Sequence, residues 1–179
     1  MPALSGTIEN KMRLAAASGV IALCFVLELV LPFSLGQNVF LLPLFLMALY
    51  YWSIYRPTLV PAWYMFVAGL FYDFLGGMPV GLHAALFVIV QWLVSSQRLY
   101  LLGQSFLMCW ICFGLVVVGY FSLEWGVFAL LQERFPPLLP VAVNVGLAFV
   151  FYPIMIALMH QVHKILPYAA GVKKMSLKS

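Results

Sequence analysis

Charge is scarce in this chain: Asp, Glu, Lys and Arg together make up 8% of its 179 residues. A soluble domain carries about 25% charged residues, so an ordinary water-facing surface cannot be built from this composition. Cysteine is also sparse. Cys24, Cys109 and Cys112 all lie inside apolar runs. Cys109-x-x-Cys112 has the spacing of a redox or zinc pair, but no second pair and no nearby His accompany it. The thiols are read as packing groups, and no metal or cofactor is expected. The chain also lacks a nucleophile with its base, a P-loop, a dinucleotide fingerprint and a zinc signature. Its loops are too short to hold an active site. An enzyme would have to work inside a bilayer with two of the acids described below, whose separation the sequence does not fix. No catalytic residue is assigned.

Apolar residues are abundant, at 65% of the chain with mean hydropathy +1.08. They fall into six segments: about 14–35, 39–55, 59–75, 80–94, 99–131 and 138–162. A bilayer crossing takes about 20 apolar residues. The third and fourth segments are short for this, so local thinning or sunken ends are expected. The fifth is long, and tilts or kinks; a break near Gly119 into a span and an interfacial helix is the second choice. The run after Lys11 and Arg13 is too long for a signal-peptide core and is read as a retained first helix. The expected fold is all-α: a polytopic integral membrane protein with six transmembrane helices in one bundle. Residues 1–13 form a cytoplasmic N-terminus, 14–163 the membrane domain and 164–179 a basic cytoplasmic tail.

The net charge of +4 does not point to nucleic acid, because the basic residues form no face or stripe. They report topology instead. With the N-terminus in the cytoplasm, the inner side holds Lys11, Arg13, Arg56, Arg98, Lys164, Lys173, Lys174 and Lys178, and the outer side only Arg134. Both ends then lie inside. Tyr50, Tyr51, Trp52, Tyr55, Trp63 and Tyr64 are expected as an aromatic belt at the inner interface. His160 and His163, with Lys164, suit a cationic helix end facing anionic lipid.

Each ionisable group inside a membrane costs about 2.5–3.5 kcal/mol on insertion scales. Three acids stand in the segments, Glu28, Asp73 and Glu124, and the topology puts all three in the outer half. His83 and Asn144 fall there too, with Glu133 and Arg134 in the last outer loop. Glu28, Glu124 and Asn144 are outer-half candidates for a polar cavity or for a surface that docks a partner helix. The alternative is that each acid stays near water or pairs with a neighbour. Gly69, Asp73 and Gly77 recur every four residues, which places them on one helical stripe. Small residues at that spacing admit a close helix neighbour, so Asp73 is read as structural, with His83 its partner across a short turn. The alternative is a packing stripe with Asp73 reaching the surface.

The stretch from about Leu42 to Trp92 resembles the bacterial rod shape-determining protein family MreD. The carrying residues are Pro43, then Tyr50-Tyr51-Trp52-Ser53-Ile54-Tyr55-Arg56-Pro57, then Gly69-Leu70-Phe71-Tyr72-Asp73 running through Gly76-Gly77-Met78-Pro79-Val80-Gly81-Leu82-His83-Ala84. Leu44 departs from the family, where that position is often polar. The resemblance marks Arg56, Pro57, Gly69, Asp73, Gly77, Pro79, Gly81 and His83 as candidates for partner contact or helix packing. It implies an inner-membrane protein of the cell-elongation machinery, with partners MreC (single-pass) and the actin-like MreB. The glycosyltransferase RodA and its class B penicillin-binding partner would act beside it. No reaction goes with the family, and a helical fold shared with substrate-binding components of energy-coupling-factor vitamin transporters is implied.

Two functions therefore compete. One is a membrane scaffold holding a single-pass partner, in contact with membrane lipids. The other is the binding component of a small-molecule importer, with Glu28, Asp73, Glu124 and His83 lining a vitamin site.

Overall fold

The computed structural model describes residues 18–30, 33–35, 38–40, 42–132 and 136–165. The N-terminal segment 1–13, Gly36 and Gln37 between the first two apolar segments, the outer-loop pair Glu133 and Arg134, and the tail lysines Lys173, Lys174 and Lys178 lie outside the described residues. So does the side chain of His163.

Helix α1 covers Ser18–Val30. Its buried residues Ile21, Cys24 and Glu28 recur at three and four, a single stripe facing inward. The first segment is thus not one helix to residue 35. Strands β1 (Phe33–Leu35) and β2 (Asn38–Phe40) form an antiparallel hairpin with Phe33 opposite Phe40. In the sequence Pro32 follows two residues after Val30, and a proline cannot supply the N–H that a continuing helix needs.

Helix α2 (Leu44–Tyr55) is shorter than the 39–55 segment that the sequence suggested. Every residue from Phe45 to Ile54 is buried, as expected of a helix apolar on all sides. It is the central post, contacted by α4 (Leu82–Ser96), α5 (Arg98–Leu102) and α7 (Leu138–Ile165). This corrects the aromatic belt. Tyr50, Tyr51 and Trp52 are core residues, while Trp63 is 69% exposed. The Tyr50 hydroxyl donates to the Cys109 carbonyl at 3.0 Å. Its ring meets Phe113 and Tyr152, which stack at 3.9 Å. Arg56 is the residue that closes α2, and Pro57 opens a 3-10 turn, Pro57–Leu59. The Arg-Pro pair therefore acts as a helix stop.

Helix α3 (Ala62–Gly76) packs most extensively on α4. The long fifth segment breaks at Gly103, between α5 and α6 (Phe106–Gln132), and α6 runs unbroken through Gly119. Helices α6 and α7 lock through a proline. Pro153 lies inside α7 and leaves the Phe149 carbonyl, four residues back, without its helical donor. The Trp110 indole N–H of α6 fills that role at 2.9 Å, and the two rings stack at 4.7 Å. Gly114 makes room: a Cβ there would stand 3.0 Å from the Phe149 ring.

Residues 106–131 and 138–162 are long and apolar enough to cross a membrane. Only 28% and 22% of their most apolar windows are buried inside the protein, so their outer faces need an apolar surrounding. Helices α2, α3 and α4 have 12, 15 and 15 residues. At 1.5 Å per residue they measure about 18–22 Å, less than the roughly 30 Å hydrocarbon layer.

Candidate functional site

The turn between α3 and α4 is built residue by residue from the Gly69–Ala84 motif. At Gly69 a side chain would collide with the backbone of His83 and Ala84, so glycine sets how closely α3 and α4 approach. Gly77 does not continue that stripe. It is the left-handed residue after α3, with φ 64°, and its N–H donates to the Asp73 carbonyl, a common glycine helix stop. The Met78 N–H donates to the same carbonyl at 3.0 Å. The Pro79 carbonyl then accepts from Leu82 N–H at 3.1 Å, and Gly81 enters α4 with φ 96°.

Glycine at the entrance to α4 has no side chain to cap the helix, and the first N–H groups of a helix lack intrahelical acceptors. The Asp73 carboxylate supplies them from the neighbouring helix. Its Oδ2 accepts from Gly81 N–H at 2.8 Å and its Oδ1 from His83 N–H at 3.1 Å. The same Oδ1 lies 2.7 Å from His83 Nδ1. Asp73 has no exposed surface, yet its negative charge faces the positive end of the α4 dipole.

Glu28 does the same for α2. The residue before α2 is Pro43, which cannot cap it. Glu28 Oε2 accepts from Phe45 N–H at 2.7 Å, and its Oε1 accepts from the Tyr72 hydroxyl at 3.2 Å. Two buried carboxylates from α1 and α3 thus each satisfy the N-terminus of another helix. In an apolar surrounding an unsatisfied backbone group is costly, which gives both acids a structural reason to be there.

Aromatic rings bind the two caps into one unit. The Tyr72 and His83 rings lie 4.5 Å apart, and Phe87 stacks on Tyr120 at 5.9 Å beneath them. His83 Nε2 faces Glu124 Oε1 of α6 at 3.6 Å. Asp73, His83 and Glu124 therefore form a chain from the hairpin to α6.

Glu124 opens onto a cleft of about 420 Å³ between α6 and α7, which Asn144 and Met78 also line. Three prolines, Pro136, Pro137 and Pro140, form the α7 side. The Trp125 indole N–H donates to the Pro136 carbonyl at 3.0 Å and ties the cleft's edge. Of the outer-half candidates, Glu28 is enclosed, whereas Glu124 and Asn144 border the cleft. Arg56 and Pro57 lie at the other end of α2, away from this cluster. Tyr72 and the proline-rich cleft wall were not singled out from sequence. Three prolines within residues 136–140 were the available signal. Among the described residues no cluster of His, Cys, Asp and Glu is arranged to hold a metal ion. Cys24 and Cys109 are buried thiols, and Cys112 is half-buried.

No curated protein and no solved structure matches the chain. The family model of the rod shape-determining protein MreD matches residues 12–162. That match takes in the capped α3–α4 hairpin, the buried acids and both long apolar helices, so this chain belongs to the MreD family of rod shape-determining proteins.

Proposed function

We propose that this chain is a non-enzymatic, multi-pass scaffold of the cell-elongation machinery in the bacterial inner membrane. It spans the bilayer six times with both ends in the cytoplasm and holds an MreC-type single-pass protein. An MreB-type filament and RodA with its class B penicillin-binding protein are the further members of the assembly. Family membership supports the role in rod shape. The observation that carries the scaffold reading is the use of the buried acids. Glu28 and Asp73 are bonded to the N-termini of α2 and α4, which serves rigid helix placement rather than chemistry. The same bonds argue against a vitamin site, in which these carboxylates would face a ligand.

The test is purification of the tagged chain from native membranes in mild detergent. Quantitative mass spectrometry is expected to recover the MreC-type partner in stoichiometric amount. A chain that carries a tightly held small molecule and no single-pass protein overturns the proposal.

A further inference from the structure

The internal hydrogen bonds of the acid end do not account for the cleft between α6 and α7. Its volume, about 420 Å³, falls in the range of pockets that hold a guest. Its walls are apolar, with Phe121, Trp125 and Phe128 from α6 facing Pro140 and Val141 of α7. Glu124 stands in this wall with 19% of its side chain exposed. Its ionic neighbour among the described residues is His83, at 3.6 Å, and that ring is already held by Asp73 at 2.7 Å. Two carboxylates share one imidazole. Asp73 is also held by the N–H groups of Gly81 and His83, whereas Glu124 has, among the described residues, this one shared imidazole at 3.6 Å. A charge against apolar walls is costly unless a cation meets it. The described Lys and Arg residues, Arg56, Arg98 and Lys164, stand at the ends of α2, α4 and α7 remote from the cleft.

We infer that the cleft receives one Lys or Arg side chain of the single-pass partner, with its charged head on the Glu124 carboxylate. This rests on the scaffold reading above and names the contact it uses. A long basic side chain has the required shape, an aliphatic stem for the aromatic and proline walls and a cation at its tip. Fixed prolines keep the cleft formed in advance, which lowers the ordering cost of binding.

The experiment is co-expression of this chain with an epitope-tagged MreC-type partner and measurement of partner retained per chain after purification. Glu124→Lys is expected to lower retention about 30-fold or more, in line with the loss of one member of a buried charge pair. A Lys→Glu or Arg→Glu change in the partner's membrane-proximal segment restores it. Val141→Trp fills the cleft without touching the ionic groups and is expected to lower retention as well, so the inference stays testable if Glu124→Lys fails to accumulate. Equal retention by both variants overturns the inference and leaves the scaffold reading standing. Failure of the wild-type chain to retain the partner overturns the scaffold reading itself. Loss of the partner on Arg134→Ala alone, with Glu124→Lys neutral, assigns the contact elsewhere and also overturns the inference.

Discussion

Removing the Asp73 carboxylate strips three donors of one acceptor group: the N–H of Gly81, the N–H of His83 and His83 Nδ1. Each buried donor left without a partner costs about 1–3 kcal/mol. Asp73→Ala is therefore expected to destabilise the protein by about 2–6 kcal/mol counting the two backbone groups alone. Asp73→Asn keeps one acceptor oxygen and is expected to recover about half of that loss. Thermal unfolding in detergent reads both, and equal stability of Asp73→Ala and wild type would show that the α4 cap carries no weight. The pairing of Asp73 with His83 was legible in the sequence, because a short glycine-rich turn joins two helices whose ends must meet. The cap was less so, since its donors are backbone groups. Glu28 was legible only as an unexplained acid. Its acceptor role depends on Phe45 N–H, 17 residues away, and nothing in residue type marks a backbone donor. Gly77 was assigned to the Gly69 stripe by spacing alone. Only the backbone shows that α3 ends before it and that its φ of 64° sets the turn.

At the scale of elements, hydropathy located the apolar segments and misplaced their boundaries. An apolar strand and an apolar helix turn look alike in a run without polar residues. Hence hydropathy merges β1 with the first segment and most of β2 with the second, and starts α2 before its first helical residue, Leu44. The break between α5 and α6 falls at Gly103, followed by Gln104 and Ser105, the more polar stretch, rather than at Gly119, which stays helical. The lock between α6 and α7 offers an element-scale prediction. Trp110→Phe keeps the ring stack and removes the donor to the Phe149 carbonyl, an expected loss of about 1–3 kcal/mol. Pro153→Ala returns a backbone N–H to position 153, able to reach that same carbonyl within α7. In the Pro153→Ala background, Trp110→Phe is expected to cost less than half as much. The two changes share one acceptor, and shared partners make free energies non-additive. A double-mutant cycle of thermal stabilities measures the coupling, and strict additivity would mean that the indole does not substitute for the missing helical bond.

At the scale of the molecule, the charges of the described residues are sorted by end. The described acids Glu28, Asp73 and Glu124 gather around the N-termini of α2 and α4, and Glu124 lies near the C-terminal end of α6. The described Lys and Arg residues stand at the opposite ends: Arg56 after α2, Arg98 after α4, and Lys164 in the last turn of α7. A bilayer turns such a polarity into an orientation, because basic residues favour the cytoplasmic side. On the outer side Glu28 and Asp73 would keep their bonds to helix N-termini, with Glu124 beside His83 at the cleft. The basic end, by contrast, gains from the anionic inner leaflet. The α3–α4 turn should therefore face outward and the segment after α2 inward. In a chain with Cys24, Cys109 and Cys112 replaced by alanine or serine, a cysteine at exposed Val80 is expected to react with a membrane-impermeant maleimide on intact spheroplasts. A cysteine at exposed Thr58 or Ser96 is expected to react only after the membrane is opened. The reverse labelling pattern would put the acid end in the cytoplasm, and the cleft at Glu124 would then face the wrong side for the extracytoplasmic half of a single-pass partner.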